Sequence, residues 1–213
     1  LNARRANVKA LVAALGQQFD YVSILGADIK ARSVRVDRNT SNISSGRDTE
    51  CGFVVKMHNG SVFFEYSLDD IDGDIAALAE KIGNAFQLHT TLTDNTISGA
   101  PLTDEPMVQS FSRPSDLDAY SDAQQLAFCK ELCGKLLDKR ENLLNAIVML
   151  GSYEVSKLFI SKNRELDQNY AWINGMMVAI YRENGKVVQT REGANAHCMA
   201  DVLAEMPEKL DKL

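Results

Sequence analysis

Two stretches of this chain match each other in register, and that constrains the fold more than any other feature. Residues 24–66 and 149–190 share Leu25-Gly26 with Leu150-Gly151, and Asn59-Gly60-Ser61-Val62 with Asn184-Gly185-Lys186-Val187. Both glycine pairs lie 125 positions apart (151 − 26 and 185 − 60). The register continues outward, with Leu78-Ala79-Glu80 opposite Leu203-Ala204-Glu205 and Leu11-Val12 opposite Leu136-Leu137. It slips by one residue only where Arg38-Asn39 faces Lys162-Asn163, at a position where a turn can absorb it. Such a pattern reads as an internal duplication, and a repeat takes precedence over any element-by-element assignment.

Each copy then has to supply its own elements. Val8, Leu11, Val12, Leu15 and Phe19 recur at helical spacing, with Gly16 as a breaker near the end. Strand-like runs follow at Tyr21 to Asp37 (bent at Gly26), Asn42 to Ser45, Cys51 to His58 and Ser61 to Tyr66. The last two flank Asn59-Gly60, a pair that favours a two-residue type I′ hairpin because both positions need positive φ. Alternation sets Cys51, Phe53, Val55 and Met57 on one face. Ser67-Leu68-Asp69-Asp70 reads as a helix start, with acids in the first turn where the helix dipole favours them, before Ile71, Ile75, Leu78, Ala79 and Ile82. In the second copy Ser121 and Gln124 form a capping box, and Leu126, Cys129, Cys133, Leu136 and Leu137 share a helix face. A second strand set turns at Asn184-Gly185, and a closing helix from about Asn195 carries Met199, Val202, Leu203, Met206 and Leu210. The expected fold is therefore α+β: a duplicated α-β-β-β-β-α unit with antiparallel meander sheets flanked by helices. The first unit covers 1–86 and the second 121–213. Residues 87–120, with Pro101, Pro106 and Pro114, lack periodicity and read as a linker.

Composition narrows the function classes. Apolar content of 45% and charge of 24% suit a packed globular chain of 213 residues. A net charge of −6 argues against nucleic acid as a main partner; Lys30, Arg32, Arg35 and Arg38 alternate with apolar residues as a solvated strand face does. No apolar run approaches a membrane span and no signal-peptide pattern opens the chain. Four unevenly placed cysteines read as reduced thiols of a cytoplasmic protein. Leu1 in place of Met, and an amphipathic end without a stop signal, read as one part of a longer protein.

The chain contains no His-Glu-x-x-His pair, no glycine-rich phosphate loop and no Gly-x-Ser-x-Gly elbow. Cys129, Cys133, His197 and Cys198 are the right ligand types for zinc, but the first two lie on an apolar stripe and the last two are helix neighbours pointing apart, which favours core packing. His58 reads as a strand-end residue, His89 as a linker residue and Trp172 as buried packing.

The order of small motifs resembles the N-terminal half of the TldD/PmbA family, known as modulators of DNA gyrase and as zinc-dependent metallopeptidases. The resemblance rests on Phe19-Asp20-Tyr21-Val22 opening the first strand, the basic-apolar Ala31-Arg32-Ser33-Val34-Arg35-Val36, and the Ser44-Ser45-Gly46 turn. It continues through Gly52-Phe53-Val54-Val55, the Asn-Gly hairpin, the Asp69-Asp70 pair and the polar turn Ser161-Lys162-Asn163. It implies the scaffold or substrate-chamber region of a peptidase, or of a non-catalytic partner subunit, acting on peptides. The family's His-Glu-x-x-x-His signature and cysteine ligand belong to the C-terminal half, so zinc is expected there and no catalytic, cofactor or metal residue is assigned here. Partners implied are that C-terminal half, a second TldD/PmbA-type subunit and a peptide substrate. The competing reading is a non-enzymatic interaction or regulatory module of the gyrase-modulator kind.

Overall fold

The computed structural model describes residues 1–45, 50–92, 104–139 and 142–213. Among them, four α-helices and eight β-strands form an α+β fold. In chain order these are α1 (Arg5–Leu15), β1 (Tyr21–Asp37), β2 (Ser41–Ser45), β3 (Glu50–His58), β4 (Phe63–Leu68), α2 (Ile75–Leu92) and β5 (Met107–Ser112). They are followed by α3 (Asp122–Asp138), β6 (Leu143–Ser161), β7 (Arg164–Glu183), β8 (Lys186–Ala196) and α4 (Met199–Glu208).

The chain forms two compact units that interleave along the sequence. Unit 1 comprises Leu1–Asp28, Glu50–Ser112 and Ser156–Asn169; unit 2 comprises Ile29–Thr49, Arg113–Val155 and Tyr170–Leu213. These boundaries differ from the serial 1–86 and 121–213 expected from sequence. The cause is strand length: β1, β6 and β7 run for 17, 19 and 20 residues. At about 3.3 Å per residue each is too long for one small core, so each contributes to both units.

In unit 1 the strand order is β4-β3-β1-β6-β7-β5. β3 and β4 are antiparallel, whereas β5 runs parallel to β7, from Met107 opposite Arg164 to Ser112 opposite Asn169. The antiparallel pairing expected of the sheet holds for β3 with β4, and β5 adds a parallel pair because it arises inside the stretch read as a linker. α1 and α2 cover a core of Val8, Leu11, Val12, Leu15, Val22, Ile24, Phe53, Val55, Met57, Ile82, Leu158 and Ile160. Gly26 belongs to this packing: a Cβ there would meet the Phe53 ring at 2.7 Å.

In unit 2 the order is β2-β1-β6-β7-β8, with β2 antiparallel to β1 and β8 to β7. Between α3 and α4 there are three strands rather than the expected four, since β7 continues unbroken. α3 and α4 lie over Val34, Val36, Ala146, Val148, Leu150, Ile173, Met177 and Ala179. Gly175 permits that approach, for a Cβ there would meet Met206 Sδ and Val202 Cγ1 at 2.2 and 2.8 Å.

Capping departs from sequence in one place and agrees in another. Ser121 and Gln124 make the reciprocal capping box of α3. By contrast, Ser67-Leu68 ends β4 instead of starting a helix; α2 begins at Ile75, where the Asp74 carboxylate accepts the Ala76 and Ala77 amides at 2.9 and 3.1 Å. The Asp70 carboxylate is drawn away by Arg4, whose guanidinium donates to it twice. No helix among the described residues is long and apolar enough to cross a membrane.

Candidate functional site

A concavity lies wholly within unit 1. It is an open cleft of about 1100 Å³ lined by α1 (Lys9, Val12, Ala13, Gly16), the start of β1 (Phe19 to Val22) and the β3–β4 turn (His58, Gly60). Asp104, Val108 and the β6–β7 turn from Ile160 to Glu165 complete it.

One wall is a hairpin tip held by a carboxylate. Ser161-Lys162-Asn163 is the polar turn singled out in the sequence, and Asp104 clasps it. Its Oδ1 accepts the Ser161 hydroxyl, its Oδ2 accepts the Asn163 amide at 3.2 Å, and its backbone carbonyl accepts Asn163 Nδ2 at 3.0 Å. Ser161 Oγ in turn accepts the Arg164 amide at 3.0 Å, and Arg164 Nε donates to the Glu105 carbonyl at 3.0 Å. Ser161 is therefore a turn-forming group, already engaged on both sides. Lys162 stands exposed at the tip.

An ion network adjoins the cleft, which it lines through Lys9 and Glu165. Arg5 and Lys9, four apart on α1, share a helix face; Glu165 and Asp167, two apart on β7, share a strand face. Arg5 bridges Glu165 at 2.7 Å and Asp167 at 2.9 Å, Lys9 meets Glu165 at 2.6 Å, and Ser110 Oγ donates to Asp167 at 2.5 Å. The Lys9 and Arg5 side chains hold the Glu165 carboxyl below its ordinary value, and the Ser110 hydroxyl together with Arg5 does so for Asp167. Their hydrogen bonds raise the Arg5 guanidinium further. His58, at the turn, accepts the Gly60 amide on Nδ1 at 3.1 Å and lies against Phe63, ring centroids 4.4 Å apart.

This geometry presents charges of both signs beside an apolar floor of Val12, Ala13, Val22 and Ile160. Such a surface can hold an extended polar chain by its ends and main-chain groups. The Ser161 hydroxyl and the His58 Nδ1 are committed to turn amides and a carboxylate.

The residues considered as metal ligands lie elsewhere, in unit 2. Cys129 and Cys133 are buried in its core, and the Cys133 thiol donates to the Ala146 carbonyl at 3.6 Å. Burial, with the neighbouring Cys133 thiol adding to it, pushes the Cys129 thiol up to about 12; burial likewise raises Cys133. Neutral thiols in that setting pack as small apolar groups. Cys198 is the residue before α4, and His197 Nδ1 lies 2.8 Å from the Ala171 carbonyl. No group of three or more His, Cys, Asp or Glu able to hold a metal ion occurs among the described residues. Three expectations are corrected: His197 and Cys198 precede α4 rather than sharing a helix, because β8 runs on to Ala196; His89 sits in the last turn of α2, 5.2 Å from the Phe64 ring; and Trp172 is 39% exposed, edge-on to His197 at 5.1 Å. Trp172 alternates with buried Ala171 and Ile173, so strand parity places it on the face away from the helices.

Sequence reading missed Asp104, the Arg5 network and Asp116. The Asp116 carboxylate caps α4 from a distance, accepting the Met199 and Ala200 amides at 2.6 and 2.9 Å. Face-sharing pairs such as Arg5/Lys9 and Glu165/Asp167 were readable; which strand passes under which helix was not.

Three solved structures share this fold along nearly the whole chain. A candidate modulator of DNA gyrase from Bacteroides thetaiotaomicron matches with a TM-score of 0.74 and 10% identity, over 100% of this chain and 50% of its own. A second such candidate modulator, from Thermotoga maritima, matches at 0.69 and 11%, over 98% and 48%. TldE from Thermococcus kodakarensis matches at 0.68 and 10%, over 96% and 47%. At these identities the likeness establishes the fold, and the chain spans about half the length of each. No family model and no curated protein matches the sequence.

Proposed function

We propose that this chain is the scaffold half of a TldD/PmbA-type peptidase, or of its non-catalytic partner subunit, and that unit 1 lines the route by which peptides approach the reaction centre. The observation that supports this reading is the end-to-end likeness to proteins twice as long. The zinc, which would polarise a peptide carbonyl and activate water, falls to a half outside this chain. The residues here bind and orient. Lys162 and Asp20, exposed on the cleft, suit the terminal charges of a peptide, while Val12, Ala13 and Ile160 shelter its side chains. A zwitterionic, unfolded substrate matches a cleft that carries both signs of charge better than an anion or a cation would.

The likeness to two candidate gyrase modulators favours a second reading, a regulatory module acting by protein contact. Photo-crosslinking separates the two. An unstructured peptide carrying a photoreactive residue is irradiated with the protein, and the adducts are mapped. Adducts at 104–108 or 160–165 support peptide binding in the cleft; adducts distributed at random, or none, sink it. A His-Glu-x-x-x-His signature encoded in the same reading frame beyond Leu213 supports the catalytic form, and a continuing frame without one supports the partner or regulator.

A further inference from the structure

The two Asn-Gly turns differ in the groups that surround their reactive atoms. An asparagine before glycine can close on itself, because the following backbone nitrogen is able to attack the side-chain carbonyl carbon. Glycine, with no Cβ, hinders that attack least. Two demands limit the step. The attacking amide must give up its proton, and the carbonyl oxygen must carry developing negative charge.

Both demands are met at Asn59-Gly60. The Gly60 amide donates to His58 Nδ1 at 3.1 Å, so an unprotonated ring nitrogen stands within reach of the proton to be removed. Contact with Phe63, ring centroids 4.4 Å apart, holds the imidazole there. On the electrophile, Asn59 Oδ1 accepts the Ser61 amide at 3.1 Å and the Val62 amide at 2.9 Å. Two backbone donors on one oxygen at that range are the arrangement that stabilises an oxyanion. Gly60 is also hard to replace: its φ is +88°, and a Cβ would meet Asp20 Oδ2 at 3.0 Å. Asn59 and Gly60 are both exposed, so water reaches the turn.

Asn184-Gly185 is the internal reference. It is the same dipeptide and equally exposed, in a two-residue turn closed by Glu183 and Lys186. A carboxylate precedes it where an imidazole precedes Asn59.

We infer that Asn59-Gly60 is a self-modifying site, with His58 as the base. The Gly60 nitrogen bonds to Asn59 Cγ and closes a succinimide. The Cγ–Nδ2 bond breaks, and the amino group leaves as ammonia with the proton taken from Gly60. Water then adds to either ring carbonyl and opens it, leaving aspartate or isoaspartate at position 59. No oxidant or reductant takes part. His58, Gly60 and Asp20 all line the cleft of unit 1, so the product sets a new carboxylate at its lip. The inference stands on turn chemistry alone and holds whatever the cleft binds.

Peptide mapping by mass spectrometry tests it, on the full folded chain held at neutral pH and sampled over time. Asn59 should convert at least about tenfold faster than Asn184. His58→Asn keeps an acceptor near the Nδ1 position that cannot take up the proton; it should slow Asn59 at least about fivefold and leave Asn184 unchanged. In urea, where the turn is lost, the two sites of the parent chain should convert within about threefold of each other. Conversion at Asn59 no faster than at Asn184 in the folded chain would mean that the hydrogen bonds lock the carboxamide, and overturns the inference. So does a rate at Asn59 indifferent to His58→Asn, or an advantage of Asn59 that survives in urea.

Discussion

Beneath their helices the two units are built differently. In unit 1, α1 turns Val8, Leu11, Val12 and Leu15 inward, yet its other side holds β7 through Arg5 and Lys9, next to an open cleft. In unit 2, α3 and α4 lay Cys129, Leu132, Cys133, Leu136, Met199, Val202 and Met206 onto an apolar strand face, and the cap on α4 comes from Asp116. Charged contacts at a cleft rim are individually weak and can be exchanged for contacts to a ligand. Buried sulfur and aliphatic packing cannot be exchanged without unfolding. The contrast fits the recognition role proposed for unit 1 and leaves unit 2 as the rigid part.

The largest effect should come from truncating the packed face. Ile173→Ala, at a fully buried site in unit 2, should cost about 2–5 kcal/mol by urea unfolding. Val108→Ala on the unit 1 edge should stay within about 0.5 kcal/mol. Comparable losses at the two sites would break the contrast. Gly175→Ala should cost about 1–3 kcal/mol, because its methyl would drive α4 outward through Met206 and Val202; a thermal midpoint equal to the parent's would show that the helix shifts freely.

Loss of the distant cap comes next. Asp116→Ala should cost about 0.5–2 kcal/mol and increase amide exchange at Met199 and Ala200, whose donors it leaves unmatched. The ion network of unit 1 should matter little to stability: Arg5→Ala should cost at most about 1 kcal/mol and leave the core amides protected. Its signature is in the pH dependence. Glu165 and Asp167 are held below their ordinary values of 4.5 and 3.8, so the unfolded chain binds their protons more readily than the folded chain does. Their contribution is complete above those values and disappears as pH falls through the lowered ones. Glu165→Gln should flatten that acid limb, and a limb of unchanged slope would remove the network from the account.

The sequence was most legible where a local rule acts alone. The α1 stripe, the length of β1 and the Ser121–Gln124 box all follow from spacing and capping chemistry. The two Asn-Gly pairs show where local rules stop. At Asn184-Gly185 both residues adopt positive φ, 49° and 75°, and Glu183 pairs with Lys186 across a two-residue turn as the dipeptide predicts. At Asn59-Gly60 only the glycine does so; His58 pairs with Phe63, and the Asn59 side chain instead accepts the Ser61 and Val62 amides. Identical dipeptides thus make different turns, because Asn59 closes a wider loop with its own carboxamide. β5 was illegible for another reason. Met-Val-Gln-Ser-Phe-Ser between prolines has no periodic signature, and only the ladder offered by β7 makes it a strand. The cleft depends on the same long-range event, since Asp104 reaches the Ser161 turn only once that strand is in place.

Hydrogen exchange measured with and without an excess of an unstructured peptide tests the division of roles most directly. The account predicts that amides of Asn163 and Arg164 at the cleft become protected by the peptide, while amides of Ile173, Met177 and Ala179 in unit 2 exchange at the same slow rate throughout. Peptide-dependent protection in unit 2 that leaves 163–164 unchanged would contradict it.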